Sequence, residues 1–185
     1  MISSFFFLRF SKYIFPKVAE EIARVVGDSD EITFEHIQKL KYLNNVIYES
    51  LRLHHPFSHF LERECTKDYQ IPDTDYVVRK GEIVSFSFLY ERMKEIEGNS
   101  SFYNPGVFDP DNFAEDRNPD LFSFLAFGQG PRNCIGKRYA MIVVKLGLVN
   151  ILRSYRLVKT ENTEDKLKLF KFLPGASVKC AFQPL

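Results

Sequence analysis

The chain has 185 residues, of which 45% are hydrophobic and 26% are charged, a composition typical of one packed domain and not of a disordered segment. Its 25 basic and 24 acidic residues leave a net charge of +1, which predicts no nucleic-acid partner because polyanion binding needs a strongly positive surface. The 3 cysteines are too few for a disulfide scaffold and indicate a reducing compartment, or one cysteine with a chemical role. The length suffices for a core but is short for an enzyme that holds a large cofactor.

Residues 1–10 are apolar apart from Ser3, Ser4 and Arg9. This run is far short of the roughly 20 residues that a membrane-spanning helix needs. It also lacks the basic start and the cleavage site of a signal peptide. We therefore expect a partly buried helical segment here and no membrane anchor.

The next part of the chain predicts three helices. Apolar residues recur at helical spacing in residues 18–26. Thr33 is the predicted N-cap of a short helix that runs to Leu40. A further helix is expected over residues 42–53. Its predicted inward-facing residues are Leu43, Val46, Ile47, Ser50 and Leu51.

The middle of the chain predicts a small antiparallel sheet, because β-like runs at residues 61–66, 76–79 and 83–88 are separated by turn signals. Residues 99–131 are loop-like, and a loop of that length inside a domain is usually functional. A long helix is predicted after Gly136. Its helical period is kept by Tyr139, Ile142, Val143, Leu146, Val149 and Leu152. The tail, residues 170–182, predicts a hairpin, so the expected class is α+β and mainly α.

The loop at residues 127–136 (FGQGPRNCIG) gives the clearest chemical signal, because it places Cys134 at the start of the long helix. Free backbone N–H groups and the positive end of the helix dipole favour the thiolate form of such a cysteine. Gly130 and Gly136 permit backbone geometry that lets the loop approach a flat cofactor. Arg132 offers a fixed positive fork that suits a carboxylate.

The residues alone leave three roles open for Cys134. A buried structural cysteine is the commonest role. A thiol nucleophile would need a histidine partner, and His36, His54, His55 and His59 all lie far upstream. A zinc site would need further Cys or His residues at finger-like spacing, which the sequence lacks.

The loop fits the pattern F-x-x-G-x-R-x-C-x-G and resembles the haem-binding loop of the cytochrome P450 monooxygenases. The resemblance implies that Cys134 is the thiolate ligand of the iron of haem b, where it favours O–O cleavage. It also implies that Phe127 packs near the sulfur, that Arg132 pairs with a haem propionate, and that Gly136 permits close approach of the helix.

Glu49 and Arg52 match the E-x-x-R pattern of the same family, within a predicted helix where residues three apart share a face. In that family the pair is buried and holds its helix to the segment before the haem loop. An exposed pair at this spacing would contribute only about a few tenths of a kcal/mol. By resemblance, Arg63 in the run LEREC is a second partner for a propionate.

The resemblance also suggests residues that line a substrate pocket, although ordinary core packing explains apolar residues there equally well. These candidates are Phe57, Ser58, His59, Phe60, Leu173 and Pro174.

Two segments depart from the family pattern. Asn112 stands where many members have an arginine that completes a triad with Glu49 and Arg52. A neutral amide cannot balance the charge of Glu49, so we expect Arg52 to carry the pairing, helped by Arg117. Residues 89–101 differ from the usual short segment, and residues 91–97 within them have the character of an insertion or an altered exon.

The resemblance covers residues 14–185 and corresponds to the carboxy-terminal part of the cytochrome P450 fold, with long helices, a small antiparallel sheet and the cysteine loop. We expect residues 1–185 to form a single partial domain without the family's central oxygen-activating helix or membrane anchor. The implied function is a haem-thiolate monooxygenase that oxidises a small apolar organic substrate with O₂ and electrons from an NADPH-dependent reductase. The implied location is the endoplasmic reticulum membrane. The alternative is a catalytically incomplete haem-binding fragment.

Overall fold

The computed structural model describes residues 13–53, 60–87, 102, 105–117, 124–158, 160–161 and 181–185. The helices of this part are α1 (Ile14–Val26), α2 (Phe34–Lys39), α3 (Lys41–Leu53) and α4 (Lys137–Leu152), with short 3₁₀ turns at Pro110–Phe113 and Gly130–Arg132. Its strands are β1 (Phe60–Glu64), β2 (Tyr69–Gln70), β3 (Val77–Val78), β4 (Ile83–Ser87), β5 (Tyr155–Val158) and β6 (Ala181–Pro184).

Helix α1 confirms the first predicted helix and begins earlier than the pattern suggested. Its buried apolar residues are Ile14, Val18, Ile22 and Val26. It ends at Gly27, which has a φ of 57° and donates its N–H to the carbonyl of Ala23 at 3.0 Å. Glycine adopts this left-handed backbone without a steric penalty, so the helix ends where the sequence allows it to turn.

Helix α2 begins at the predicted cap. The Thr33 hydroxyl accepts a hydrogen bond from the backbone N–H of His36 at 3.2 Å. The Nδ1 atom of His36 accepts in return from the backbone N–H of Thr33 at 3.3 Å. This capping box satisfies two N–H groups that the first helical turn leaves free. His36 therefore has a structural role at the start of α2.

The core lies between α1, α3 and α4, and it includes Ile37 and Leu40 from the α2 region. The predicted inward residues of α3 are buried, except that Leu51 is only partly buried. Helix α4 is confirmed, but part of its apolar series faces outward, since Tyr139 is 75% exposed and Val143 47% exposed. The buried residues of α4 are Met141, Lys145, Leu148, Val149 and Leu152. Because α4 is apolar nearly all round, its periodicity did not identify the packed face.

The predicted antiparallel strands are present, but they form two separate pairs instead of one sheet. Strand β1 pairs with β4, and β2 pairs separately with β3, both antiparallel. Strands β2 and β3 are two residues each, so the segment between β1 and β4 forms its own small hairpin. At the carboxyl end, β6 pairs antiparallel with β5.

Several predictions fall outside the described residues. These are the unusual segment at 89–101, most of the hairpin at 170–182, and the pocket candidates Phe57, Ser58, His59, Leu173 and Pro174. The backbone of Phe60 begins β1, while its side chain lies outside the description. Among the described helices, none combines the length and the apolarity needed to cross a lipid bilayer.

Candidate functional site

The backbone around Cys134 forms a closed loop just before α4. The N–H of Cys134 donates to the carbonyl of Phe127 at 2.7 Å, and the N–H of Lys137 donates to the carbonyl of Cys134 at 3.4 Å. The side chain of Cys134 is exposed in the described part of the chain. An exposed thiol on a hydrogen-bonded loop does not fit the role of a buried structural cysteine and is available to a ligand.

Two of the three glycines of the loop, Gly130 and Gly136, differ in their backbone conformation. Gly130 has a φ of 77°, a left-handed conformation that other residues adopt at a cost. Gly136 has a φ of −84°, which any residue adopts, so the predicted need for a special backbone is wrong there. A Cβ atom at Gly136 would lie 3.9 Å from the sulfur of Cys134. A Cβ atom there would make an ordinary van der Waals contact with the sulfur, so neither the backbone nor the packing requires glycine at this position.

Lys137 joins this loop to helix α3. Its ammonium nitrogen lies 5.5 Å from the ring centroid of Phe127 and 5.6 Å from that of Tyr48. Both distances are within the range of cation–π attraction. The sequence pattern gave no sign of this contact, which positions the Phe127 ring on one side of the lysine and α3 on the other.

The two arginines predicted to bind propionates are placed on different elements. Arg132 is exposed in the 3₁₀ turn before Cys134. Arg63 is partly buried on β1, and its guanidinium donates to the backbone carbonyl of Glu62 at 2.7 Å. Among the contacts that the structure describes, none joins either arginine to the cysteine, so a shared ligand stays a prediction.

Glu49 and Arg52 form a buried ion pair on α3. Arg52 Nε lies 2.7 Å from Glu49 Oε2, and Arg52 Nη2 lies 2.8 Å from Glu49 Oε1. The side chain of Glu49 is 0% exposed and that of Arg52 is 3% exposed. Such a bidentate geometry is the strongest form of a carboxylate–guanidinium contact.

The same pair binds the segment that precedes the cysteine loop. Arg52 donates to the carbonyls of Pro105 at 2.9 Å and Val107 at 3.3 Å. Glu49 accepts from the backbone N–H of Asp109 at 2.9 Å and from the side-chain amide of Asn112 at 3.2 Å. Asn112 therefore supplies a hydrogen bond, although it cannot supply the charge of an arginine.

An aromatic cluster continues this contact toward the loop. The ring of Phe113 lies 5.5 Å from Tyr48 and 5.0 Å from Phe124, both in edge-to-face geometry. Phe102 lies 5.6 Å from Phe113 and under the guanidinium of Arg52 at 5.0 Å. These rings connect α3, the 3₁₀ turn and the residues that lead into the cysteine loop.

Sequence reasoning missed two buried charges near the start of α3. Glu21 is 6% exposed and Lys145 is 7% exposed. The available signal was a charged residue at a position where the helical pattern expects an apolar one. Burial lowers the pKa of Lys145, an effect that the nearby carboxylate of Glu21 opposes.

Fold and site together define a mainly helical protein that presents one exposed thiol on a glycine-containing loop before a long helix. A sequence model described as "Cytochrome P450" matches residues 3–179. The chain belongs to the cytochrome P450 family. Members of this family are haem-thiolate monooxygenases and bind haem through a cysteine thiolate.

Curated relatives agree with this assignment. The chain is 37% identical to Cytochrome P450 6l1 of Blattella germanica over 77% of its length and 28% of the relative's. It is 36% identical to Cytochrome P450 4g15 of Drosophila melanogaster over 83% of its length and 26% of the relative's. The chain thus spans less than a third of the curated relatives that it matches.

The loop residues fit a haem. The exposed thiol of Cys134 is a donor that would hold a haem iron, as a cysteine thiolate does in this family.

Proposed function

We propose that this chain carries the thiolate side of a haem site in a monooxygenase, with Cys134 as the iron ligand. The observation that carries the proposal is the exposed Cys134 thiol on a loop held by the hydrogen bond from the Cys134 N–H to the carbonyl of Phe127. When bound, the haem supplies the activation of O₂ and the insertion of an oxygen atom into an organic substrate.

The chain's own residues would bind and orient that group. Cys134 donates the thiolate, and the short contact with Phe127 fixes the direction in which the loop presents it. Arg132 and Arg63 are proposed to pair with the two propionates, since guanidinium groups bind carboxylates with directed hydrogen bonds. Glu49 and Arg52 hold the segment at 105–112 on α3, which keeps the approach to the loop in place.

The partners and location follow from the family. We propose a small apolar organic substrate, with Phe57, Ser58, His59, Phe60, Leu173 and Pro174 as candidates for the pocket wall. An NADPH-dependent reductase would deliver electrons, and the site of action would be the endoplasmic reticulum membrane. These proposals are supported by the resemblance to the relatives and not by contacts in the described residues.

The second candidate is a haem-binding chain that does not complete a catalytic cycle by itself. It is favoured by the coverage of the relatives, which is 26% for one and 28% for another. A single partial domain, residues 1–185, would then hold the haem from the cysteine side only.

Turnover separates the two candidates. The chain is loaded with haem, mixed with a P450 reductase, NADPH and a panel of apolar substrates, and product is assayed for one ¹⁸O atom from ¹⁸O₂. Labelled product that disappears in Cys134→Ala supports the monooxygenase. Haem binding without labelled product supports the second candidate, and a chain that binds no haem contradicts both.

A further inference from the structure

The junction between α2 and α3 is held by two buried charges from distant parts of the chain. Lys145 of α4 donates from Nζ to the backbone carbonyls of Ile37 at 3.2 Å and Leu40 at 3.0 Å. Glu21 of α1 accepts from the backbone N–H of Tyr42 at 2.8 Å and of Leu43 at 2.8 Å. We call Glu21 and Lys145 the junction clamp.

Each charge is matched to the groups that it meets. The last carbonyls of a helix and the first N–H groups of the next one lack partners within their own helices. Lys145 satisfies the carbonyl of Ile37 at the end of α2, and it is a second donor to the carbonyl of Leu40, which also accepts from the N–H of Asn44 at 3.3 Å. Glu21 satisfies two such N–H groups at the start of α3. The positive end of the α3 dipole favours the carboxylate there. The clamp thereby fixes both sides of Leu40, which is itself fully buried.

The clamp also determines how α4 lies along α3. Lys145 contacts the chain just before α3 begins, whereas Lys137 lies over the ring of Tyr48, beside Glu49. These two lysines are about 12 Å apart along α4 at 1.5 Å per residue. The two helices therefore run antiparallel and are joined at two places. One is the junction clamp at Lys145, and the other is the contact of Lys137 with Tyr48, next to the cysteine loop.

Apolar packing alone specifies this alignment weakly. Helix α4 is apolar on its outer face too, where Tyr139, Val143 and Leu146 are exposed. A helix with apolar residues all round can pack in several alignments of similar free energy. The two hydrogen bonds from the Lys145 ammonium group are kept in only one of these alignments. Burying a charge is unfavourable unless it is hydrogen-bonded, so any shift of α4 that breaks these bonds is strongly disfavoured.

We propose that Glu21 and Lys145 are positioning residues that set the register of α4, and with it the Cys134 loop, against the helix that carries Glu49 and Arg52. This inference rests on the proposed function for its relevance to haem, but it concerns the protein without haem as well. It predicts that a change at Lys145, in the middle of α4, alters the hydrogen exchange of Cys134, just before the start of that helix.

The test measures amide hydrogen exchange in the full chain without haem. Lys145→Met keeps the length and removes the charge, while Lys145→Arg keeps a charged donor. Leu157→Ala is the control, because it removes a buried apolar side chain on β5 that takes no part in the four hydrogen bonds. Circular dichroism checks that helical content is retained, and denaturant concentration is adjusted so that Lys145→Met and Leu157→Ala have equal global stability.

We expect Lys145→Met to accelerate exchange about tenfold or more at Tyr42 and Leu43 and also at the loop amides of Cys134 and Lys137. Lys145→Arg should keep most of the protection of the wild type, and Leu157→Ala should leave the exchange rates of the loop amides unchanged. Acceleration confined to residues 37–43 would overturn the proposal, because the clamp would then be a local cap. Equal acceleration in Leu157→Ala would overturn it as well.

If Lys145→Met does not fold, Glu21→Gln provides the same comparison, because it keeps one acceptor oxygen and places an amide N–H against a backbone N–H. The loop amides of Cys134 and Lys137 must then exchange faster than in Leu157→Ala, and unchanged exchange overturns the proposal. With haem added, Lys145→Met should also lower the thiolate-ligated fraction. Failure of the wild type to bind haem would contradict the proposed function. The exchange experiment, which is done without haem, would still test the positioning role of Lys145.

Discussion

Arg52 donates two parallel hydrogen bonds to Glu49, at 2.7 and 2.8 Å, and both side chains are shielded from solvent. Because this guanidinium also binds the carbonyls of Pro105 and Val107, the pair is the point where α3 meets the segment before the cysteine loop. Its partners are backbone groups from a distant part of the sequence, so the pair does more than an ordinary i,i+3 contact on a helix surface.

Replacing Arg52 with Met should destabilise the protein by about 3–5 kcal/mol, because it leaves the Glu49 carboxylate buried without its counter-charge. We expect haem incorporation to be lost together with the stability. Urea unfolding measures the free energy of unfolding in both proteins. The exposed pair of Arg79 and Asp68, at 2.8 Å, provides the control, and Arg79→Met should leave the unfolding midpoint nearly unchanged. Equal effects of the two substitutions would contradict this account of Arg52.

Asn112 contributes one hydrogen bond to the Glu49 carboxylate inside the same buried site. Asn112→Leu removes it and should cost about 1.5–3 kcal/mol, the range for a hydrogen bond to a charged group. Asn112→Asp should cost more at neutral pH, since it places a second carboxylate beside Glu49. The order of stability, measured by urea unfolding, is therefore wild type, then Leu, then Asp. An Asp variant more stable than the Leu variant would show that Asn112 does not face a charged carboxylate.

Lys137 should show an energetic coupling to Tyr48 through the cation–π contact at 5.6 Å. A double-mutant cycle with Lys137→Met and Tyr48→Leu should give a coupling of about 0.5–1 kcal/mol, because the cycle cancels the other contacts of each side chain. Lys137→Arg should keep most of it. Additive effects of the two substitutions on the free energy of unfolding would show that the contact contributes nothing.

The stability of the protein should fall at high pH because of Tyr42. Burial, together with the negative charges of Asp111, Asp109 and Glu21, raises the pKa of Tyr42 to about 12 from 10.0. Between these values the unfolded chain loses the phenol proton while the folded chain keeps it, so ionisation favours unfolding as pH rises. The free energy of unfolding of the wild type should therefore decrease relative to Tyr42→Phe between about pH 10 and 12. Parallel curves for the two proteins would contradict the raised pKa.

The sequence predicted the features that depend on local pattern. The four described helices and the Thr33 cap follow from apolar spacing and capping chemistry over a few residues. The cysteine motif and the pair at Glu49 and Arg52 could also be recognised in the sequence, because each is a fixed pattern within one segment. Their roles toward haem remain predictions.

The features that depend on distant pairing were not predictable. Lys145 and the carbonyl of Ile37 are separated by 108 positions, and no local pattern shows that they meet. The same holds for Lys137 and Tyr48, which belong to different helices. The packed face of α4 was missed for a related reason. Several faces of an apolar helix are suitable for burial, and the face that is buried depends on the helices against which it packs.

The identity of the haem ligand is tested most directly by the absorption spectrum of the reduced protein with carbon monoxide. The wild type, loaded with haem, should show the red-shifted Soret band of thiolate ligation. Cys65→Ser, which changes the other described free cysteine, should keep that band, and Cys134→Ser should lose it. A wild type without the band, or a band that persists in Cys134→Ser, would contradict the assignment of Cys134 as the ligand.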